Sequence, residues 1–122
     1  MIRPRLWFAV AYAMLAVVAV LSLMPDPPGA GVSDKLLHFS AYAGLSAGFS
    51  ILVRYHRQLL WVVIGLILYG MLIEVLQGMT GYRFMEAYDV LANSAGVFCG
   101  LLIRLTPLPR WFRQFESRLF TA

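Results

Sequence analysis

Apolar runs separated by short polar segments organise this chain. The runs cover about residues 6–24, 36–53, 59–79 and 87–105, and each is near the ~20 residues that an α-helix needs to cross the hydrocarbon layer of a bilayer. Pro25, Pro27 and Pro28 cannot continue a helix, so they end the first run and lead into an extended loop. The pattern predicts an all-α, polytopic membrane bundle of four transmembrane helices with short loops, in one domain over residues 1–122.

Small residues run through the second apolar segment, namely Ser40, Ala41, Ala43, Gly44, Ser46, Ala47, Gly48 and Ser50. Helices in lipid associate through close packing and hydrogen bonds, so this helix is predicted to be central. Gly96 and Gly100 form a G-x-x-x-G pattern in the fourth run, which we interpret as a packing face. Ser33 or Asp34 is predicted to cap the second helix by accepting backbone N–H bonds.

The segment after Pro107 and Pro109 has an amphipathic pattern. Apolar side chains recur at spacings of three and four, at Trp111, Phe112, Phe115 and Leu119, while polar residues take most positions between them. This pattern predicts a helix over about residues 109–120 that lies in the cytoplasmic interface with its aromatic side in the acyl region. A disordered tail is the competing interpretation.

Composition and charge agree with a membrane location. Hydrophobic residues make up 61% of the chain and charged residues 13%, with a mean hydropathy of +0.75, which leaves too few polar residues to cover a soluble domain. The single Cys99 excludes an intrachain disulfide. The pI of about 9.6 needs no nucleic-acid partner, because arginines beside anionic headgroups explain it.

The positions of the basic residues predict orientation. An even number of spans with a cytoplasmic amino terminus places eight of the ten basic residues inside, which agrees with the positive-inside rule. These eight are Arg3, Arg5, Arg54, Arg57, Arg104, Arg110, Arg113 and Arg118. We therefore expect a multi-pass protein of the inner (cytoplasmic) membrane with both termini in the cytoplasm.

Polar residues at the outer ends of the runs form the candidate site. Asp34, His38 and Tyr42 are spaced i, i+4, i+8 and share one helix face. Glu74 lies inside the third run, where an unpaired carboxylate costs roughly one to three kcal/mol, so it needs partners. We expect these among Gln77, Arg83 and His38. The complete predicted ligand-binding set is Asp34, His38, Tyr42, Glu74, Gln77, Arg83, Asp89 and Asn93.

The order of these motifs resembles the VanZ-like membrane proteins. The resemblance rests on Leu21-Ser-Leu-Met-Pro25, Asp34-Lys-Leu-Leu-His38-Phe-x-x-Tyr42, Glu74-Val-Leu-Gln77, Arg83, and Asp89-Val-Leu-Ala-Asn93-x-x-Gly96 with Gly100. It covers nearly the whole chain. The family takes its name from a protein associated with glycopeptide (teicoplanin) resistance, so the resemblance implies a small polytopic protein that acts at the cell envelope. It supplies no reaction.

Two classes of function fit these residues. In the first, a non-enzymatic factor binds membrane lipid, a lipid-linked envelope precursor or another membrane protein through its outer polar pocket, with Arg83 binding phosphate or carboxylate. In the second, the pocket is an active site with His38 as general base or nucleophile and Glu74 or Asp89 as further catalytic candidates.

Three further interpretations of the polar residues are a purely structural network, a proton-linked transporter and a zinc or manganese site. The chain has no H-E-x-x-H motif and no cysteine cluster, so we predict neither metal nor cofactor.

Overall fold

The computed structural model describes residues 1–25 and 33–121. Residues 26–32 of the predicted extended loop lie outside the described part of the chain. Helices account for all the regular structure in the described part, which confirms the all-α prediction. They are α1 (Pro4–Leu23), α2 (Asp34–Leu52), α3 (His56–Met79), α4 (Ala87–Leu101), a 3₁₀ turn (Leu102–Leu105) and α5 (Leu108–Thr121).

Local sequence explains where α1 begins and ends. Pro4 occupies its first turn, where a fixed φ suits a helix and no N–H is needed. Met24 precedes a proline and takes an extended conformation, with φ −67° and ψ 142°, so the helix stops.

Ser33 lies at the N-cap of α2, but its side chain makes no capping hydrogen bond there. The predicted side-chain cap at Ser33 is therefore wrong.

Three helical segments are long and apolar enough to cross a membrane: Pro4–Leu23, His56–Met79 and Ala87–Leu105. These three make the chain a membrane protein. The central helix α2 does not reach the same hydropathy, because it carries Lys35, His38 and several serines along its 19 residues. The fourth span thus stays a prediction.

The helix α2 contacts α1, α3, α4 and the 3₁₀ turn, and its contact with α4 is the most extensive in the fold. Two glycines of α4 allow the close approach. A Cβ at Gly96 would clash with the Phe39 carbonyl oxygen, and one at Gly100 would clash with that of Ala43. Across the same interface Ser46 Oγ donates to the Val97 carbonyl at 2.6 Å. The G-x-x-x-G pair therefore packs against α2.

Hydrogen bonds between segments distant in sequence define the two ends of the bundle. At one end, which we call the Asp34 end, the Tyr82 hydroxyl donates to the carbonyl of Leu23 at 2.6 Å. At the other, which we call the Arg104 end, Arg104 Nη1 donates to the carbonyls of Ser50 and Val53, each at 3.1 Å. The eight arginines predicted to be cytoplasmic lie at the start of α1, around the connection between α2 and α3, in the 3₁₀ turn and in α5.

The helix α5 docks on the start of α1 through a buried carboxylate. Glu116 is 1% exposed, and its Oε1 accepts the backbone N–H groups of Ile2 at 3.0 Å and Arg3 at 2.8 Å and the Trp7 indole N–H at 2.9 Å. The Trp7 ring also meets Phe112 edge-on, with centroids 5.0 Å apart. Because free N–H groups and the positive end of the dipole lie at a helix start, a carboxylate there stabilises the contact.

The predicted aromatic side of α5 is divided between two environments. Phe112 packs on α1, whereas Trp111, Phe115 and Leu119 are each more than half exposed and form one stripe. The tail is a helix and not a disordered segment. An exposed apolar stripe of this kind is what an interfacial helix presents to acyl chains, and its placement at a membrane surface stays a prediction.

Acid is expected to release α5 from α1. Burial acts to raise the pKa of Glu116, but the N–H donors of Arg3, Ile2 and Trp7 outweigh it and hold the pKa below its ordinary value of 4.5. A carboxyl with a lowered folded-state pKa stabilises above its unfolded pKa, and this stabilisation is lost as pH falls through the folded value. Fluorescence of Trp7, followed in a Trp61→Phe/Trp111→Phe background, should report undocking below about pH 4.

In the same background Glu116→Gln should weaken docking about tenfold at neutral pH, since charge-assisted hydrogen bonds become neutral ones. It should also flatten the acid transition. A transition of unchanged midpoint and amplitude in Glu116→Gln would show that this carboxyl does not control the contact.

Candidate functional site

The imidazole of His38 lies at the centre of the polar residues at the Asp34 end. The residue is 8% exposed, and its Nδ1 is 2.8 Å from Asn93 Oδ1. An amide oxygen only accepts, so this bond places a proton on Nδ1. The other ring nitrogen, Nε2, is 3.5 Å from Asp34 Oδ2 and 3.7 Å from Asp89 Oδ2. Nε2 therefore faces both carboxylates.

Two cations compensate the carboxylates around His38. Lys35 Nζ pairs with Glu86 and with Asp89, the latter at 2.9 Å. Arg83 Nη2 is 3.7 Å from Asp34 Oδ1. The Asp34 end thus carries an alternating network of charges that links α2, α4 and the segment between α3 and α4.

Glu74 is buried, at 2% exposure, but its partner differs from those predicted. Its Oε1 accepts the backbone N–H of Glu86 at 2.6 Å. Gln77 donates instead to the carbonyl of Ser22 at 2.8 Å. Within residues 1–25 and 33–121, neither His38 nor Arg83 makes a hydrogen bond or ion pair with Glu74. The partner of the Glu74 carboxylate is thus a main-chain N–H group. Complementary side chains in the sequence do not indicate such a partner.

Apart from Asp89 Oδ1, which lies 2.9 Å from Lys35 Nζ, three buried polar atoms near this network have no hydrogen-bond partner within the described chain. They are Tyr42 Oη, Glu74 Oε2 and Asn93 Nδ2. A Cβ placed at Gly70 would lie 3.1 Å from Asn93 Nδ2 and 3.1 Å from the Tyr42 ring, so this glycine makes room for both side chains. Buried polar groups are normally paired. These atoms therefore retain capacity to bind a further polar group.

A cavity of about 160 Å³ opens beside the network, between α1, α2 and the end of α3. Five of the eight predicted site residues line it, and they are Asp34, His38, Tyr42, Gln77 and Arg83. Glu74, Asp89 and Asn93 are buried beside the cavity without lining it. The eight residues hence divide into a lining group and a supporting group.

An apolar groove of about 500 Å³ runs along α1 and α2 from this cavity. It extends from Leu21 to Trp7 on α1, which is about 21 Å at ~1.5 Å per helical residue. Gly44 and Gly48 form part of its floor. The groove shares Val18, Leu21 and Ala41 with the polar cavity, so the two form one continuous surface.

The chain matches the family model described as VanZ/LLP1 over residues 5–106. This chain belongs to the VanZ/LLP1 family. The matched part includes α1 from its second residue, α2 to α4 and the 3₁₀ turn, and therefore every residue of the polar network. The comparison with curated proteins and the comparison with solved structures give no match.

Two members of the network in this VanZ/LLP1 chain were not among the predicted site residues. Lys35 lies directly beside Asp34 in the sequence and pairs with Glu86 and Asp89. Glu86 precedes α4 and contributes both a carboxylate and the N–H that Glu74 accepts. The spacing of Glu86 and Asp89, i and i+3, is the signal that could have indicated it.

Asp34, His38 and Asp89 each offer one ligand atom, and these atoms all lie within 4.8 Å of one another. Two carboxylates and an imidazole suit zinc or manganese. In this VanZ/LLP1 protein, however, Lys35 and Arg83 already pair with the two carboxylates. A cation would have to compete with both, which favours the ion-pair network over a metal centre.

Proposed function

We propose that this VanZ/LLP1 protein is a cell-envelope factor that binds one amphiphile. A lipid headgroup, or the head of a lipid-linked envelope precursor, occupies the polar cavity, and an acyl chain occupies the groove. The observation that carries this proposal is the shared wall of Val18, Leu21 and Ala41 between a charged cavity and an apolar groove. A molecule that fills both must have a polar head joined to a hydrocarbon chain.

The charges in the cavity favour a head that contains phosphate. Arg83 is 3.7 Å from Asp34, longer than the ~2.7–2.9 Å of a charge-assisted hydrogen bond. Its guanidinium therefore retains donors for a second anion. Asp34, whose side chain is 47% exposed, is placed to accept from an ammonium group. A zwitterionic phosphate and amine head satisfies both residues.

The dimensions of the groove agree with this occupant. Its length of about 21 Å exceeds half of the ~30 Å hydrocarbon layer, so it can accept an acyl chain from one leaflet. We place the Asp34 end outside, in the cytoplasmic membrane, because the positive-inside rule puts the arginine-rich end in the cytoplasm. With α2 as a fourth span, both termini are cytoplasmic.

A second candidate function is enzymatic. His38 Nε2 lies between two carboxylates while Asn93 holds Nδ1, an arrangement that can orient a general base. Glu74 and Asp89 are the other catalytic candidates. This reading requires a product, whereas the binding factor releases its lipid unchanged.

Native mass spectrometry of the purified protein with dioleoylphosphatidylethanolamine tests the proposal. Arg83→Gln should weaken binding about tenfold or more, because a charge-assisted bond to phosphate contributes ~1.5–3 kcal/mol. Gly48→Leu should weaken it about tenfold by filling the groove. A Cβ at Gly48 meets nothing within 4 Å, so the new side chain starts in open space.

The matched control is Gly65→Leu, which is equally open but lies on α3 outside the groove. It should bind as the parent protein does. Equal binding by Gly48→Leu and Gly65→Leu would refute the groove as the acyl site. Conversion of the lipid, abolished by His38→Ala in a folded protein, would favour the enzyme instead.

A further inference from the structure

A second cavity, of about 580 Å³, lies at the Arg104 end, on the opposite side of the bundle from the polar network. Besides Met1, three elements form its wall: the end of α2 with residues 53 and 54, the 3₁₀ turn and the start of α5. Each contributes one arginine, and these are Arg54, Arg104 and Arg113. The described residues that line the cavity include no aspartate or glutamate.

Arg104 is held in place by the end of α2. Its Nη1 donates to the carbonyls of Ser50 and Val53, which belong to the last turn and the C-cap of that helix. These bonds satisfy free carbonyls and fix the guanidinium plane while its other N–H groups remain available. Ser50 itself is 2% exposed, and its Oγ has no hydrogen-bond partner in the described chain.

The carboxylate of α5 bonds to the start of α1 and does not line this cavity. Glu116 is the acidic residue of α5, and its Oε1 accepts three N–H bonds from the start of α1. Three guanidinium groups that line one cavity without an acidic residue create a positive potential that attracts an anion. Guanidinium groups bind phosphate through paired N–H donors.

We propose that this cavity is a phosphate-binding site, separate from the polar cavity at the Asp34 end. Its volume falls within the ~300–1,000 Å³ of small-molecule sites. The phosphate belongs either to an anionic lipid head or to a free phosphate ion. The cavity shares Ile51 and Leu52 with the apolar groove, so an acyl chain joined to the phosphate has a path between the helices.

A charge-matched pair of double variants tests the site. Arg54→Gln/Arg113→Gln removes two cavity arginines but keeps Arg104, which also caps α2. Arg57→Gln/Arg118→Gln removes two exposed arginines of the neighbouring segments that do not line the cavity. Both have the same net charge. Circular dichroism of each variant verifies its helix content.

Each protein is measured with two probes, dioleoylphosphatidylglycerol by native mass spectrometry and inorganic phosphate by calorimetry in detergent. The cavity variant should lose at least about tenfold in affinity for a probe that the parent binds, since each cavity arginine would lose a charge-assisted hydrogen bond to the phosphate. The control variant should lose less than about threefold. Loss for the lipid alone identifies a headgroup site, and loss for phosphate as well identifies a site for the free anion.

Equal losses in the two double variants would overturn the proposal, because they would show that general surface charge explains the binding. The proposal would also be overturned if the parent protein bound neither the lipid nor inorganic phosphate. Neither result bears on the site at the Asp34 end, whose test uses Arg83 and Gly48.

Discussion

Gly96→Ala is expected to separate α2 from α4 and to lower the free energy of unfolding by about 3 kcal/mol. The added Cβ would clash with the Phe39 carbonyl oxygen and lie 3.0 Å from the Ala43 amide nitrogen. Both are backbone atoms of a helix, so neither can rotate away as a flexible side chain would. Gly100→Ala meets the same obstacle, with Ser46 Cβ at 2.7 Å. Thermal and denaturant unfolding in detergent, followed by circular dichroism, measures the loss.

Gly65→Ala is the matched control, because a Cβ at that position meets nothing within 4 Å. It should leave stability unchanged or raise it by roughly 0.5–1 kcal/mol, through the better helix propensity of alanine. Gly96→Ala and Gly65→Ala variants of equal stability would contradict a close backbone contact between α2 and α4.

The second large effect is expected at the hydrogen bond between His38 and Asn93. His38→Ala removes a buried ring and leaves Asn93 Oδ1 unpaired, so it should cost about 3 kcal/mol. Asn93→Ala should cost about 2 kcal/mol. The double variant should lose about 1–2 kcal/mol less than the sum of the two single variants, because both remove the same bond.

Unfolding of all four proteins in one detergent system gives this coupling energy. His56→Ala is the control, since His56 is exposed at the first position of α3 and should change stability by less than ~0.5 kcal/mol. Additivity of His38→Ala and Asn93→Ala within ~0.5 kcal/mol would mean that the two side chains contribute to stability independently.

Helical periodicity was sufficient to predict much of this fold. The i, i+4, i+8 spacing of Asp34, His38 and Tyr42 placed three polar side chains on one face, and the structure has all three lining one cavity. The small residues of α2 predicted its central position, since they permit helices on several sides to approach. These inferences worked because side-chain direction on a helix follows directly from residue spacing.

Other features have no signature in the spacing of side chains. Glu74 and Gln77 bond to a backbone N–H and a backbone carbonyl, and every residue type supplies such groups. The role of Glu116 could not be predicted from the amphipathic tail, because its three donors belong to a segment more than 100 residues away. Ser33 matched a capping preference that the observed geometry does not use.

The pairing of α2 with α4 sets an order for biosynthesis. His38 and Asn93 are separated by 55 positions, so the nascent hairpin of α1 and α2 leaves the ribosome before its principal neighbour exists. During that interval the imidazole lacks its amide partner. Release of the α3 and α4 hairpin completes the interface, and chains truncated before Asn93 should be substrates for membrane quality-control proteases.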